Sequence, residues 1–208
     1  MKNYVKNFII ILALLSIVSC YEKNKKHGIQ ELKNGDIIFQ TSLSEQSKAI
    51  QLATKSPYSH CGIIFKEGSD FFVFEAIQPV QKTPLNKWIK RGKDGHYVVK
   101  RLKDNRILTS DIMKIMMEEG KKMNGKNYDQ YFEWNNDRIY CSELIWKIYK
   151  QAGIELSKPE KLRNFDLRHP KVEQKLKERY GNNVPLDEKV VSPVALFNSK
   201  LLERVILD

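Results

Sequence analysis

The sequence is poor in the residues that build disulfide frameworks and metal sites. Its 208 residues include three cysteines and four histidines. Only Cys61 and Cys141 lie beyond the N-terminal segment, and a single pair gives no disulfide framework. His60, Glu75 and Cys141 have the right chemistry for zinc, but the sequence lacks the paired, short ligand spacing typical of zinc sites. We therefore expect no metal and no other cofactor.

The N-terminus also lacks an apolar run long enough for a permanent membrane span. Such a span needs about 20 apolar residues, whereas the run here covers residues 8–18 and follows two lysines, as in a bacterial secretory signal. Residues 15–20 (Leu-Ser-Ile-Val-Ser-Cys) resemble a lipobox. We predict a signal peptide at 1–19, a lipidated Cys20 followed by a polar tether to residue 30, and export to a bacterial membrane. An uncleaved signal anchor is the alternative.

Basic residues outnumber acidic ones, but they are not arranged for nucleic acid. The chain has 36 lysines and arginines against 25 aspartates and glutamates, a net charge of +11. The lysines are scattered, and no basic stripe is interleaved with aromatic residues. We therefore expect no nucleic-acid partner, whereas the positive charge would favour anionic lipid or cell-wall polymer.

Residues 31–208 are predicted to form one α+β domain, because their length suffices for one hydrophobic core. Apolar patterning and turn residues indicate strands at 37–40, 61–65, 71–76 and 96–102. Capping residues and helical periodicity indicate helices at 44–54, 110–123, 141–152 and 170–180, and another that begins after Ser192.

Strand alternation decides how the residues around His60 are oriented. His60 and Gly62 share one face, whereas Cys61 points to the other and is predicted to be a small core residue. If the hairpin turn sets Lys66 opposite Phe71, Glu75 lies opposite Gly62 and diagonal to His60, within reach of its side chain. A slip of one residue would put Glu75 on the wrong face.

Cys141 stands at the predicted start of an apolar helix. Unpaired N–H groups and the helix dipole favour an anion there, so the pKa of this thiol should be lowered. The same N–H groups could receive the oxyanion that forms when the sulfur attacks a carbonyl carbon. The alternative is a cysteine buried on the packing side of the helix beside Leu144 and Ile145.

Four short motifs give the sequence a family resemblance. They are Gly-Asp-Ile-Ile-Phe at 35–39, Tyr-Ser-His-Cys-Gly-Ile at 58–63, Phe-Glu-Ala at 74–76 and Tyr-Cys-Ser-Glu-Leu at 140–144. Together they resemble the papain-like cysteine hydrolases of the NlpC superfamily. The cysteine motif follows the histidine motif instead of preceding it, which resembles the circularly permuted, YiiX-type amidases. The resemblance implies a permuted papain-like fold with an antiparallel sheet packed against the cysteine helix.

The resemblance also implies roles for individual residues. Cys141 matches the nucleophile, His60 the general base and Glu75 the residue that orients the imidazole. Tyr58 is expected to line the pocket or assist the oxyanion, or else simply to pack. Cys61 stands where valine is usual, and Glu75 replaces the histidine of unpermuted relatives. His96 is an alternative base.

Three functions remain open at this stage. The first is a membrane-tethered cysteine hydrolase that cleaves an amide in a peptide, a cell-wall stem peptide or an N-acyl compound. The second is an acyltransferase. The third is a non-catalytic lipoprotein that binds lipid or peptide on the same fold. Residues 131–134 (Tyr-Phe-Glu-Trp) could form an apolar lid over an acyl chain or belong to the core.

Overall fold

The structure, a computed structural model, describes residues 31–205. The predicted signal peptide, Cys20 and the tether lie outside the described residues. Within residues 31–205, no helix is both long and apolar enough to cross a membrane. The elements below all belong to one unit, residues 33–205.

Helices and strands alternate irregularly along this unit. The strands are β1 (Ile37–Gln40), β2 (His60–Glu67), β3 (Asp70–Glu75), β4 (Gln81–Pro84), β5 (Tyr97–Leu102), β6 (Asn127–Tyr128), β7 (Arg138–Ile139), β8 (Glu160–Lys161), β9 (Lys189–Val190) and β10 (Leu202–Val205). The α-helices are α1 (Glu45–Thr54), α2 (Leu85–Arg91), α3 (Ser110–Met123), α4 (Cys141–Gln151), α5 (Pro170–Tyr180) and α6 (Pro193–Phe197). Short 3₁₀ turns cover Lys93–Gly95, Asn105–Ile107 and Leu162–Asn164.

A six-stranded sheet in the order β10-β5-β1-β2-β3-β4 forms the centre of the fold. Every neighbouring pair in it is antiparallel. Helix α4 packs against this sheet, and its Leu144, Ile145 and Ile148 join Ile37 and Ile63 in the buried core. The prediction of an α+β fold with an antiparallel sheet packed against the cysteine helix is confirmed.

The helix starts follow the capping residues of the sequence. Ser44 accepts a hydrogen bond from the N–H of Ser47 and begins α1, and Ser192 caps α6 in the same way. Thr109 caps α3. These side chains satisfy backbone donors that a helix leaves unpaired at its first turn.

Some elements were not predicted. The strands β4 and β10 form the two edges of the sheet, and their sequences, Gln-Lys-Thr-Pro and Leu-Glu-Arg-Val, are too polar for an obvious strand pattern. The parallel pair β6–β7 and the antiparallel pair β8–β9 have two residues per strand. Such short pairs depend on tertiary packing more than on local sequence.

The hairpin register that governs the site is as predicted. Lys66 pairs with Phe71 and Ile63 with Phe74, so the ladder continues to place Gly62 opposite Glu75. A Cβ atom on Gly62 would lie 2.3 Å from Cγ1 of Val73 and 2.9 Å from the carbonyl oxygen of Phe74. Only glycine leaves space for the diagonal approach of Glu75 to the start of β2.

Replacing Gly62 with alanine should therefore destabilise the fold by about 1–3 kcal/mol, the usual cost of overpacking an interior. Urea unfolding followed by circular dichroism measures the change. Ser69→Ala, in the exposed turn of the same hairpin, is the control and should leave the midpoint unchanged. Equal midpoints for Gly62→Ala and the wild type would contradict the steric argument.

Candidate active site

His60 and Glu75 form the centre of a buried polar cluster. His60 is the first residue of β2 and Glu75 the last residue of β3. Their side chains meet diagonally across the hairpin, with 2.6 Å between Nε2 of His60 and Oε2 of Glu75. The His60 ring also stacks on Trp88 of α2, with 5.9 Å between the ring centroids.

Glu75 is fully buried, and its partners determine its charge state. The hydroxyl of Thr83 donates to Oε1 at 2.6 Å, and Nη2 of Arg91 donates to the same oxygen. Burial alone would raise the pKa of a carboxyl group. The hydrogen bonds from His60 and Thr83 and the charge of Arg91 outweigh burial and lower the pKa of Glu75. Glu75 is therefore an anion that holds the imidazole in place.

Cys141 lies beside His60 at the first position of α4, and it is buried. Because Glu75 engages Nε2 of His60, Nδ1 is the ring nitrogen left to share a proton with the thiol. Burial would lower the pKa of His60, but hydrogen bonds and charge from Cys141 and Glu75 raise it to about 9. The pKa of Cys141 is lowered well below its usual value, by a hydrogen bond with Cys61 and then, against the effect of burial, by His60. The pair thus favours a thiolate and an imidazolium.

Cys61 interacts with Cys141 more than the sequence predicts. It is fully buried, as expected of a core residue, but its face of β2 is the one against which α4 packs. Its thiol and its backbone N–H both interact with the sulfur of Cys141 and lower the pKa of that residue. Burial and then the neighbouring Cys141 raise the pKa of Cys61 itself. Cys61 thus favours the thiolate form of Cys141 and is also a packing residue.

Tyr128 was not predicted as a site residue. It is paired through β6 with Ile139, two residues before Cys141. Its hydroxyl oxygen accepts a hydrogen bond from Nε2 of Gln46 at 3.0 Å. Burial and the negative charge of Cys141 raise the pKa of Tyr128, which keeps its proton for donation. Its sequence context gives little signal, because β6 has two residues and no apolar pattern of its own.

Tyr58 does not line either of the two pockets described below, and of its two expected roles its contacts fit packing. Its ring stacks on Phe197 with 4.2 Å between centroids and lies 6.2 Å from the ring of Phe39. These contacts make it a packing residue. His96, the alternative base, is exposed, whereas His60 is the histidine that the fold brings to Cys141.

Two pockets flank the Cys141–His60 pair. The apolar pocket is a cavity of about 690 Å³, including space open to solvent, and Cys141 lines it together with Ala49, Ala53, Phe132, Phe165, Val172 and Leu176. The polar pocket has about 640 Å³ and is lined by His60 together with Gln40, Ser42, Ser59, Arg91 and Tyr128. Gln46 and Ile50 of α1 line both, so the two pockets adjoin at this helix.

The cluster does not fit a metal ion. Within residues 31–205, no group of three histidine, cysteine, aspartate or glutamate side chains could hold one. Nε2 of His60 is bonded to Glu75, and both oxygens of Glu75 already have protein donors. The atoms of His60 and Glu75 that could bind a metal are therefore already hydrogen-bonded within the protein.

A cysteine at a helix N-terminus, next to a histidine that a carboxylate orients from an antiparallel sheet, is the arrangement of papain-like proteins. Here the histidine and carboxylate strands precede the cysteine helix, so the order is circularly permuted. The chain belongs to the family of permuted papain-like amidase enzymes, YaeF/YiiX, C92, whose model matches residues 31–206.

Two relatives from Escherichia coli are similar over most of their length. The YiiX protein of strain K12, described as uncharacterized, is 45% identical over 202 residues, which are 97% of this chain and 96% of that protein. A crystal structure of YiiX from strain O157:H7, titled as a metalloprotein, is 47% identical. It has a TM-score of 0.80 and covers 85% of this chain and 97% of that one. The predicted family and permuted fold are confirmed.

The contact between Cys61 and Cys141 can be tested through the pH dependence of alkylation. In Cys61→Val the thiol donor is lost, so the midpoint for iodoacetamide labelling of Cys141 should move to higher pH. Cys61→Ser retains a hydroxyl donor and should shift the midpoint less. Mass spectrometry of the labelled peptide identifies the residue, and an unchanged midpoint in Cys61→Val would contradict the proposed hydrogen bond.

Proposed function

We propose that this protein is a cysteine hydrolase that cleaves the amide bond of an N-acyl compound. The observation that carries the proposal is the buried Cys141–His60–Glu75 cluster at the meeting point of two pockets. Membership of an amidase family supports the reaction class.

The proposed first step is attack by the Cys141 thiolate on the carbonyl carbon of the amide. The carbonyl oxygen becomes an oxyanion, which the N-terminal N–H groups of α4 and the Tyr128 hydroxyl would stabilise. His60 then gives its proton to the amide nitrogen, the C–N bond breaks and the amine leaves. The acyl group remains on sulfur as a thioester.

The second step returns the enzyme to its starting state. His60, now neutral, takes a proton from water, and the oxygen attacks the thioester carbon. The C–S bond breaks, which releases the carboxylic acid and restores the Cys141 thiolate. Throughout both steps Glu75 keeps the imidazole of His60 oriented and balances the positive charge of the imidazolium. An acceptor other than water at this step would make the protein an acyltransferase.

The apolar pocket favours an N-acyl compound over a stem peptide. Its walls come mainly from small and aliphatic side chains, Ala49 and Ala53 of α1 and Val172 and Leu176 of α5, and Lys175 and Arg179 of α5 line it as well. Phe132 of the predicted lid also lines it, and its ring lies edge-to-face with Tyr140 at 5.0 Å. Such walls stabilise an alkyl chain by about 0.8 kcal/mol per buried CH₂. By contrast, a peptide backbone would lose hydrogen bonds to water there without replacement.

The catalytic proposal is tested with an N-dodecanoyl amide and mass spectrometry of the products. Cys141→Ala should abolish hydrolysis, and His60→Ala should lower kcat/KM by about 10²–10⁴-fold, the usual contribution of a general acid–base group. In the wild type, turnover should fall as the pH rises through about 9, because His60 then loses the proton that it gives to the leaving amine.

His96→Ala is the matched control and should retain wild-type activity, because His96 is exposed. Activity that survives in Cys141→Ala would refute the thiol mechanism. If iodoacetamide failed to modify Cys141 selectively and no amide were cleaved, the non-catalytic lipoprotein would be the better description.

We further propose that a lipid on Cys20 tethers the domain to a bacterial membrane. The support is the lipobox-like sequence before Cys20 and the apolar run that precedes it. Cys20→Ser should move the protein from the detergent phase to the aqueous phase in Triton X-114 partitioning, while Cys61→Ser should stay with the wild type. Equal partitioning of Cys20→Ser and the wild type would contradict lipidation.

A further inference from the structure

The two pockets assign the two halves of the substrate. Cys141, which takes the acyl carbon in the proposed mechanism, lines the apolar pocket, and His60, which protonates the leaving nitrogen, lines the polar pocket. A general acid must lie within hydrogen-bond reach of the atom that it protonates. If the proposed function holds, the amine half therefore occupies the polar pocket.

The wall of the polar pocket is built for hydrogen bonding. Ser59 Oγ lies 2.5 Å from Ser47 Oγ and accepts from the N–H of Ser42, which fixes these hydroxyls along one side. Gln40, directly opposite His60 across the β1–β2 ladder, is 2% exposed. Its Oε1 has no hydrogen-bond partner among the described residues. This oxygen lies against Gly92, so the hydrogen-bonding groups that the pocket offers to a ligand are chiefly its serine and tyrosine hydroxyls.

The charge that faces this pocket is positive. Among the described residues, His60 and Arg91 are its charged lining residues, and no acidic side chain lines it. Glu75 lies behind them, fully buried, and uses Oε1 to accept from Nη2 of Arg91. The Arg91 side chain is 42% exposed and lines the pocket, and a guanidinium has five N–H donors, so the contact with Glu75 leaves donors that a ligand can approach.

We propose that the polar pocket binds a leaving amine that carries an anionic group, such as the carboxylate of an amino acid, and that Arg91 recognises this group. A planar guanidinium pairs with a carboxylate through parallel N–H···O bonds, which is stronger than a contact with a neutral hydroxyl. A cationic amine would meet the charge of Arg91, which Glu75 partly offsets from behind, and would find no carboxylate partner among the described lining residues. The substrate class is thus an amphiphile with an apolar acyl chain and an acidic headgroup.

The test compares three amides that share a dodecanoyl chain and differ in the headgroup. N-dodecanoylglycine is anionic, N-dodecanoylethanolamine is neutral, and N-dodecanoylethylenediamine is cationic. The kcat/KM of the wild type should be at least about tenfold higher for the anionic than for the neutral amide, as expected for one charge-assisted pair, and lowest for the cationic one. N-dodecanoylphosphoethanolamine tells whether a phosphate serves as well as a carboxylate.

Variants assign the preference to Arg91. Arg91→Gln also loses a contact with Glu75 and should be slower on every amide, so the informative quantity is the anionic-to-neutral ratio, which should fall to about one. Arg91→Lys should restore part of the ratio. Lys90→Gln removes the same charge from an exposed neighbour on α2 that does not line the pocket, and it should keep the wild-type ratio.

Protection of Cys141 from iodoacetamide gives a readout that needs no turnover. The anionic amide should protect Cys141 at a lower concentration than the neutral amide does. Loss of this difference in Arg91→Gln would support the proposal. Equal kcat/KM and equal protection with all headgroups would overturn it while leaving the hydrolase intact, as would a preference that persists in Arg91→Gln. Absence of both cleavage and selective labelling would instead refute the proposed function and, with it, this inference.

Discussion

The hydrogen-bonded ion pair between His60 and Glu75 is the interaction on which the arrangement of the site depends. A carboxylate with no exposed surface is stable only if partners replace its lost hydration. At Glu75 those partners are His60 from β2, Thr83 from β4 and Arg91 from α2. One buried charge thus ties three neighbouring elements to β3. Against the effect of burial, Cys141 and then Glu75 raise the pKa of His60, so the two groups together keep a proton on the imidazole.

Helix α1 gives the site its two chemically different sides. Its Ala49 and Ala53 line the apolar pocket. Its Gln46 lines both pockets and donates a hydrogen bond to the hydroxyl of Tyr128, which lines the polar pocket. The cap at Ser44 starts this helix within the wall of the polar pocket, so a local hydrogen bond fixes the point at which the helix begins. The separation of the apolar from the polar pocket therefore depends on where this one short helix begins.

Much of this site could be predicted from local rules. A two-residue turn at Gly68-Ser69 fixes the hairpin register, and the register alone predicts that Glu75 approaches His60. By contrast, Thr83 and Arg91 reach the carboxylate from an edge strand and a helix whose positions depend on tertiary packing. Tyr128 belongs to a two-residue strand with no pattern of its own, and both pockets combine segments far apart in the sequence.

The prediction for Cys61 shows where reasoning by alternating faces is incomplete. Alternation correctly separated Cys61 from His60 along β2 and predicted its burial. Alternation does not tell which element packs on the opposite face of β2. That element is α4, which has Cys141 at its first position. A residue can therefore face away from the imidazole and still act on the thiol that the imidazole serves. Because a thiol fills nearly the volume of a small apolar side chain but donates a proton, Cys61 in place of valine changes the electrostatics at Cys141 with little change in packing.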